Sequence, residues 1–337
     1  MPTRIAINGF GRIGRLTARH LLTRFSNDVE IVAVNDLTDA ENLAYLFEFD
    51  STYRRFPYPV SAEDGNLVIN KNGEKQHIKV FAERDPALLP WKELNIDVVL
   101  ECTGFFLSTE LAGKHLQAGA KKVILSAPAK DADIPTLVIG VNDKEVLAKN
   151  PTIVSNASCT TNCVAPAFKV IEENFKLENA FGVTAHAYTA TQPLQDGPSK
   201  KDLRGGRAAA VNAIPAATGA AKALTLVLPQ TKGKVELSAL RIPTITGSMV
   251  YITANFEQPV TVEAFNAAFK KAAENELAGV LHYSQEELVS TDIIQDAASC
   301  VFDSKLTEVN GKTVKFIVWY DNEWGYSNRL AELTNKM

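Results

Sequence analysis

The chain has 337 residues, 46% hydrophobic and 22% charged, with 35 basic against 39 acidic side chains and a formal charge of −4. That length supports two domains with their own cores and no need of disulfide or metal staples, and the charge offers no field to gather phosphate backbones, so nucleic acid is not an expected partner. Cys102, Cys159, Cys163 and Cys300 are too sparse for a secreted disulfide framework, no window nears 18 apolar residues, and the N-terminus enters a strand pattern directly; neither export nor a membrane span is expected, and the cytoplasm is the expected compartment.

Taken in chain order, the first stretch alternates between two periods. Arg4 to Asn8 is extended, Arg12 to Arg24 helical, Glu30 to Asp36 extended and Asp39 to Phe49 helical. Such alternation calls for a parallel sheet covered by helices on both faces. Asn66 to Val80 is expected as a hairpin turning at Asn72-Gly73. Short apolar runs at Val98 to Leu100, Val123 to Leu125, Leu137 to Ile139 and Ile153 to Val154 are expected as further buried strands.

Beyond Ser155 the alternation stops, and longer strands are expected at Ala180 to Tyr188, Lys234 to Ile242, Met249 to Phe256 and Lys315 to Tyr320. The fold class is therefore α/β, a doubly wound Rossmann-type parallel sheet followed by an α+β domain with a largely antiparallel sheet. Gln192 to Gly206 is too long and polar for a simple turn, which marks it as functional or as an interface. A last helix is expected over about Asn328 to Asn335.

Asn8-Gly9-Phe10-Gly11-Arg12-Ile13-Gly14 closes the first strand and opens the first helix. In that context Gly9 permits a tight turn, Gly11 lets a pyrophosphate approach the backbone, and Gly14 lets helix and strand pack closely. The unpaired N–H groups of the helix start complete an anion site. Asp36 ends the second strand 22 residues after the last glycine, where its carboxylate accepts from a ribose 2′-hydroxyl and repels a 2′-phosphate; NAD is expected over NADP.

Cys159 falls in the first turn of a helix expected to reach about Asn174, where the helix dipole favours thiolate and a lowered pKa. Cys102 and Cys300 lie in apolar strand patterns and Cys163 lies deeper in the helix, so these three are expected to be inert. None of the five histidines forms a metal-ligand pair and no Cys-x-x-Cys occurs; no metal is expected. His186, in a strand among small neighbours, is the best base candidate, against the competing reading of a satisfied core histidine. A thiolate beside a nicotinamide cofactor points to aldehyde oxidation through a hemithioacetal and a thioester.

The run Ser155 to Cys163, with His186 27 residues after Cys159, closely resembles phosphorylating glyceraldehyde-3-phosphate dehydrogenase. So do Ile7 to Arg15, Asn35-Asp36-Leu37, Ser126 to Lys130, Thr189 to Gln192, Asp196-Gly197-Pro198, Ala217 to Lys222, Arg241-Ile242-Pro243-Thr244 and Trp319 to Glu323, so that the likeness covers nearly the whole chain. It implies that Cys159 is the nucleophile and His186 its base. It places Arg12, Ile13, Asp36, Arg84 and Ser126 at cofactor-contacting positions beside Gly9, Gly11 and Gly14, with Asn322 on the nicotinamide carboxamide and Tyr326 near its ring. Thr189, Thr191 and Arg241 are implied for the phosphate of glyceraldehyde 3-phosphate, and Ser158, Thr160, Thr218 and Gly219 for the inorganic phosphate that attacks the thioester.

The same resemblance implies a homotetramer with Gln192 to Gly206 packed between subunits, and a division into an NAD-binding domain of residues 1–157 and 322–337 and a catalytic domain of residues 158–321. Two departures from the family's usual text stand out, Thr246 where an Asn is common and Tyr251 where an Asp is common. Rival readings are the same chemistry on erythrose 4-phosphate with water as acyl acceptor, and a non-catalytic NAD-binding interaction protein.

Overall fold

A computed structural model describes residues 1–199 and 202–337; of the expected loop from Gln192 to Gly206, residues 200 and 201 lie outside the described residues. The chain forms two compact units. One comprises Met1–Leu137, Asp143–Ala157 and Ser327–Met337, the other Val138–Asn142 and Ser158–Tyr326. The chain passes from one unit to the other at 137/138, 142/143, 157/158 and 326/327.

The first unit is built from β1 (Thr3–Asn8), α1 (Arg12–Arg24), β2 (Val29–Asn35), α2 (Ala40–Glu48), β3 (Val60–Glu63), β4 (Asn66–Lys71), β5 (Glu74–Phe81), β6 (Val98–Glu101), α3 (Thr109–Gln117), β7 (Lys122–Leu125), α4 (Asp143–Ala148) and β8 (Ile153–Ser155). Its sheet runs β3-β4-β5-β2-β1-β6-β7-β8. From β5 to β8 every pairing is parallel, and β3-β4-β5 forms an antiparallel extension. The β1, β6 and β7 cores are buried on both faces, which is why those strands read as unbroken apolar runs. Asn72 and Gly73 turn the β4–β5 hairpin with φ of 55° and 96°, the positive pair that a two-residue hairpin of matching twist requires. Trp91, Ile96, Val99 and Ala6 pack one face of the sheet.

Leu137 to Ile139 does not form a strand. Thr136 makes a single bridge to Ser155, after which the Val138 N–H is taken by the Asn142 side chain at 2.9 Å and the chain turns. Pro135, lacking an N–H, cannot extend the ladder in the other direction. Apolar composition alone did not carry the information that a side chain intercepts the backbone donor.

The second unit contains α5 (Cys159–Asn174), β9 (Leu177–Ala187), β10 (Ile214–Ala216), α6 (Ala220–Val227), β11 (Val235–Ile242), β12 (Ser248–Phe256), α7 (Val262–Glu274), β13 (Leu281–Ser284), β14 (Cys300–Asn310) and β15 (Thr313–Tyr320), and α8 (Trp324–Lys336) begins in it. Its sheet order is β10-β11-β9-β12-β15-β14-β13. Pairings are antiparallel except β11 with β9 and β13 with β14. An aromatic cluster of Phe265, Phe269, Phe302 and Phe316 packs α7 on the sheet, with the Phe269 and Phe302 rings stacked at 4.0 Å. The last helix starts at Trp324, earlier than expected, because Asp321 Oδ1 accepts the N–H groups of Glu323 and Trp324 and so caps it.

Candidate active site

In the first unit the glycine turn joins β1 to α1 as its spacing requires. Gly9 has φ of +92°, and a Cβ there would lie 2.8 Å from the Cys102 carbonyl carbon; at Gly14 a Cβ would lie 2.2 Å from the Gly9 carbonyl oxygen. Gly11 caps α1 with no side chain of its own, and nothing lies within 4 Å of where its Cβ would be. Two glycines are thus demanded by packing and one leaves the helix start open. No acidic side chain occupies the first turn of α1, so its N–H groups and dipole face an open approach.

Beside this turn lies a cleft of about 460 Å³ lined by Gly9, Gly11, Asp36, Leu37, Arg84 and Phe105 among others. Asp36 Oδ2 accepts from the Phe10 N–H at 2.8 Å and Oδ1 from the Thr38 N–H at 3.1 Å. Each oxygen keeps a second lone pair, so the carboxylate is oriented and still able to accept from a hydroxyl. Arg12 ion-pairs with Asp50 and lies over the Tyr53 ring at 5.5 Å. Ile13 is half-buried, and Ser126 follows β7 at the carboxyl end of the sheet, its N–H donating to the Glu101 carbonyl. The open helix start, the close-packed glycines and the cleft fit a dinucleotide.

Sequence reasoning missed the buried network beneath the turn. Asn8 accepts from Asn35 Nδ2 at 2.7 Å and donates to Glu101 at 2.6 Å. Glu101 also accepts from the Thr103 N–H, and His115 Nε2 lies 3.2 Å from it. The Trp91 indole N–H donates to His115 Nδ1 at 3.0 Å, which puts the His115 proton on Nε2, toward Glu101. The only sequence signal was a polar residue, Glu101, ending an apolar strand.

In the second unit Cys159 is the first residue of α5. Ser158 caps the helix by accepting from the Thr161 N–H at 3.1 Å, and Ala157, before it, holds φ of +56°. A non-glycine residue in that region marks a sharp elbow held by its surroundings. The Cys159 Sγ lies 3.3 Å from His186 Nε2. His186 comes from β9, and its strand register on β11 is Arg241. Arg241 Nη1 lies 2.6 Å from His186 Nδ1 and 3.1 Å from the Ala187 carbonyl oxygen, which is itself 2.7 Å from Nδ1. The Tyr320 ring meets the imidazole edge-on at 5.9 Å, with its hydroxyl held by Thr160 and Thr184.

Burial, with Arg241 adding to it, depresses His186 to about 4. Burial likewise pushes the Cys159 thiol up, opposed by the Arg241 charge and the Thr160 hydrogen bonds. The expectation of a lowered cysteine pKa is therefore reversed, because desolvation of a thiolate outweighs the helix start. Cys102 and Cys163 are pushed further, Cys102 to about 12, in each case first by burial.

The remaining residues fall into three groups. Thr189 and Thr191, just after β9, share a hydroxyl contact at 3.1 Å. Thr218 accepts from the Ala220 N–H, and Gly219 caps α6 with open space around it. Asn322 is buried, its Oδ1 accepting from Ser248 at 2.8 Å and Thr246 at 3.3 Å. With the carbonyl held, the Asn322 amide N–H₂ is the end left to donate. Thr246, one of the two unusual positions, also donates to Asp321 at 2.9 Å, while Tyr251, the other, lies on the solvent face of β12 under the Lys315 ammonium. Tyr326 is buried at the start of α8. Among the described residues no cluster of three or more His, Cys, Asp or Glu side chains could hold a metal, and no helix is long and apolar enough to cross a membrane.

Comparison with known proteins joins the two units. Residues 3–109 match the family model described as the glyceraldehyde 3-phosphate dehydrogenase NAD binding domain, and residues 158–322 match the C-terminal domain of the same family. The chain is 51% identical to a glyceraldehyde-3-phosphate dehydrogenase of Mycobacterium avium over 336 residues, covering 99% of this chain and 98% of the relative. A Streptomyces coelicolor protein of the same name shows the same identity and coverage, and one from Bacteroides fragilis is 49% identical over 331 residues, 98% of this chain and 97% of its own.

Proposed function

Because the chain belongs to the glyceraldehyde-3-phosphate dehydrogenase family of NAD-dependent oxidoreductases, we propose that Cys159 attacks the aldehyde of glyceraldehyde 3-phosphate while His186 handles the proton. The observation that carries this reading is the 3.3 Å approach of Sγ to Nε2, from a helix start to a strand in the same unit. That is the reach of a base to its nucleophile.

Attack forms a C–S bond and a hemithioacetal. NAD, when bound by the glycine turn, Asp36 and Asn322, would supply the acceptor for the hydride that this carbon must lose. His186 removes the hydroxyl proton as the C=O bond re-forms, so that the acyl group stays on sulfur as a thioester. Inorganic phosphate attacks the thioester, the C–S bond breaks, and 1,3-bisphosphoglycerate leaves. The reaction is a step of glycolysis and gluconeogenesis. Arg241, with Thr189 and Thr191, supplies a guanidinium and hydroxyl donors for the substrate phosphate. Ser158, Thr160, Thr218 and Gly219 are assigned to the inorganic phosphate, with Thr218 and Gly219 at the start of α6 favoured by its open N–H groups. Thr160 and Ser158 use their hydroxyls internally, which supports a backbone rather than a side-chain role for them.

Gly9, Gly11, Arg12, Ile13, Gly14, Asp36, Arg84 and Ser126 are assigned to NAD, as are Asn322 and Tyr326, and residues 1–157 and 322–337 to its domain, with residues 158–321 catalytic. The oriented Asp36 carboxylate and the exposed Leu37 beside it favour NAD over NADP. A homotetramer is supported by the outer face of the second sheet, where Phe181, Val183 and Tyr251 are exposed together. The free cysteines support a reducing cytoplasm. Erythrose-4-phosphate dehydrogenase and a non-catalytic NAD-binding protein are not favoured by the matches.

The test is absorbance at 340 nm. NADH production from glyceraldehyde 3-phosphate should require added phosphate or arsenate, and Cys159→Ser should abolish turnover while NAD still binds. Full turnover without an acyl acceptor, or an active Cys159→Ser enzyme, contradicts the reading.

A further inference from the structure

The protons of the buried network under the glycine turn have fixed places, because a backbone or indole donor holds each end. At one end the Glu83 N–H donates to Asn35 Oδ1 at 2.8 Å, so the Asn35 amide nitrogen is the group that donates to Asn8 Oδ1 at 2.7 Å. Asn8 Nδ2 then donates to Glu101 Oε2 at 2.6 Å. At the other end the Trp91 indole N–H, which can only donate, takes the lone pair of His115 Nδ1 at 3.0 Å. His115 is thereby a neutral ring with its proton on Nε2, 3.2 Å from the same carboxyl oxygen. The Thr103 N–H, at 2.8 Å, and the Thr103 hydroxyl meet Oε1.

These donors converge on Glu101, which is fully buried, and none of them carries a charge. Among the described residues no Lys or Arg forms an ion pair with this carboxylate, whose one titratable partner is the neutral His115 ring. Hydrogen bonds satisfy its lone pairs and leave its charge without a counter-ion in a medium that screens poorly.

Glu101 ends β6, and the next two residues, Cys102 and Thr103, line the dinucleotide cleft. The sheet order sets β2 and β6 on opposite sides of β1. A dinucleotide straddles such a crossover point. With Asp36, at the end of β2, taking the adenosine ribose, the β6 side is left for the nicotinamide half. The field of the carboxylate already reaches the cleft wall: burial, with the Glu101 charge adding to it, pushes the Cys102 thiol up to about 12.

We propose that Glu101 is a specificity-determining residue, a buried and unmatched carboxylate that makes the cleft favour oxidised NAD, whose nicotinamide ring is positively charged, over NADH, whose ring is neutral. Asn8, His115 and Thr103 act through it, as the donors that hold the charge in place. The pyrophosphate is common to both forms of the cofactor and cancels from their affinity ratio, so the ratio isolates the charge of the ring. The consequence is that the cofactor is held more firmly before it takes hydride than after, which favours exchange of spent NADH for NAD. This rests on the reading of the cleft as the NAD site.

The test is calorimetric titration of the full-length protein with NAD and with NADH, in a Cys159→Ser background so that no thiolate contributes. The parent should bind NAD more tightly than NADH. Its preference should persist at about 0.5 M salt, where exposed charges are largely screened and a buried one is not. Equal affinities, or a preference that salt abolishes, overturn the proposal, and these two results decide the matter even if a further substitution fails to fold.

Glu101→Gln keeps the size of the side chain and an oxygen for Thr103 while removing the charge. It should lower the ratio of NAD to NADH affinity by about fivefold or more, as expected for a unit charge acting at an effective dielectric constant of ~20. Thr103→Val cuts the network and keeps the charge, so both affinities should fall together with the ratio unmoved. If Glu101→Gln also weakens both cofactors equally, or if Thr103→Val shifts the ratio as far as Glu101→Gln does, Glu101 is only a structural prop and the proposal fails. A protein that binds neither cofactor removes the reading of the cleft, whereas one that binds both alike removes only the charge preference.

Discussion

Replacing Gly14 by Ala puts a carbon 2.2 Å from the Gly9 carbonyl oxygen, about 1 Å short of ordinary contact. Neither side can yield cheaply. Gly9 is pinned from behind, since even its own missing Cβ would sit 2.8 Å from the Cys102–Thr103 backbone, and its N–H is held by the Asn35 carbonyl at 2.8 Å. Helix α1 must therefore back away from β1, and with it the N–H groups that face the cleft. Overpacking of this kind costs about 1–3 kcal/mol. Because that cost falls on the conformation that binds phosphate, NAD affinity should drop by roughly 5- to 150-fold, at ~1.4 kcal/mol per decade. Calorimetric titration of NAD reads the loss, and iodoacetamide labelling of Cys159 in the same sample reports that the second unit is intact. An affinity within twofold of wild type would refute the argument that Gly14 is there for close packing under a phosphate site.

Other outcomes follow from burial. His186, 4% exposed, is depressed from 6.5 to about 4, so the unfolded chain binds the extra proton first and stability is lost as pH falls through that window. The loss should total about 3 kcal/mol, ~1.4 kcal/mol per pH unit, and His186→Gln should remove it from urea midpoints measured between pH 6.5 and 4; parallel curves for the two proteins would contradict it. Iodoacetamide at neutral pH should label Cys159 first, because Cys102 and Cys163 are held further toward the thiol and Cys163 and Cys300 are fully enclosed; equal labelling read by peptide mass would count against this. Thr246→Val removes the one hydroxyl donor that Asp321 and Asn322 share, while the Glu323 and Trp324 N–H groups and the Ser248 hydroxyl still serve those oxygens; it should cost about 1 kcal/mol in stability and raise KM for NAD more than it lowers kcat. An unchanged NAD KM would mean that Thr246 merely fills space.

The backbone periods of the first unit were legible because they are local. Arg12–Arg24 is helical over the residues its pattern marked, and the Asn72-Gly73 turn follows from the positive φ those two residues tolerate. Leu137 to Ile139 misled because the decisive partner, the Asn142 side chain, is a turn's competitor that apolar composition does not register. Strand β14 was marked only at Cys300, because its inner half does not alternate with solvent: Asp303 is buried and accepts from the Trp319 indole, while Lys305 and Leu306 are exposed side by side.

What the sequence determined by itself was the chemistry carried by residue type and short spacing: the glycine turn, the acidic end of β2, a cysteine at a helix start, and the ordered motifs of a family. What only the tertiary structure decided was proton placement and charge. Cys159, His186 and Arg241 lie far apart along the chain, and strand pairing alone sets the guanidinium against Nδ1. Desolvation, which depends on everything packed around a group, then reversed the pKa that a helix start alone implied for Cys159.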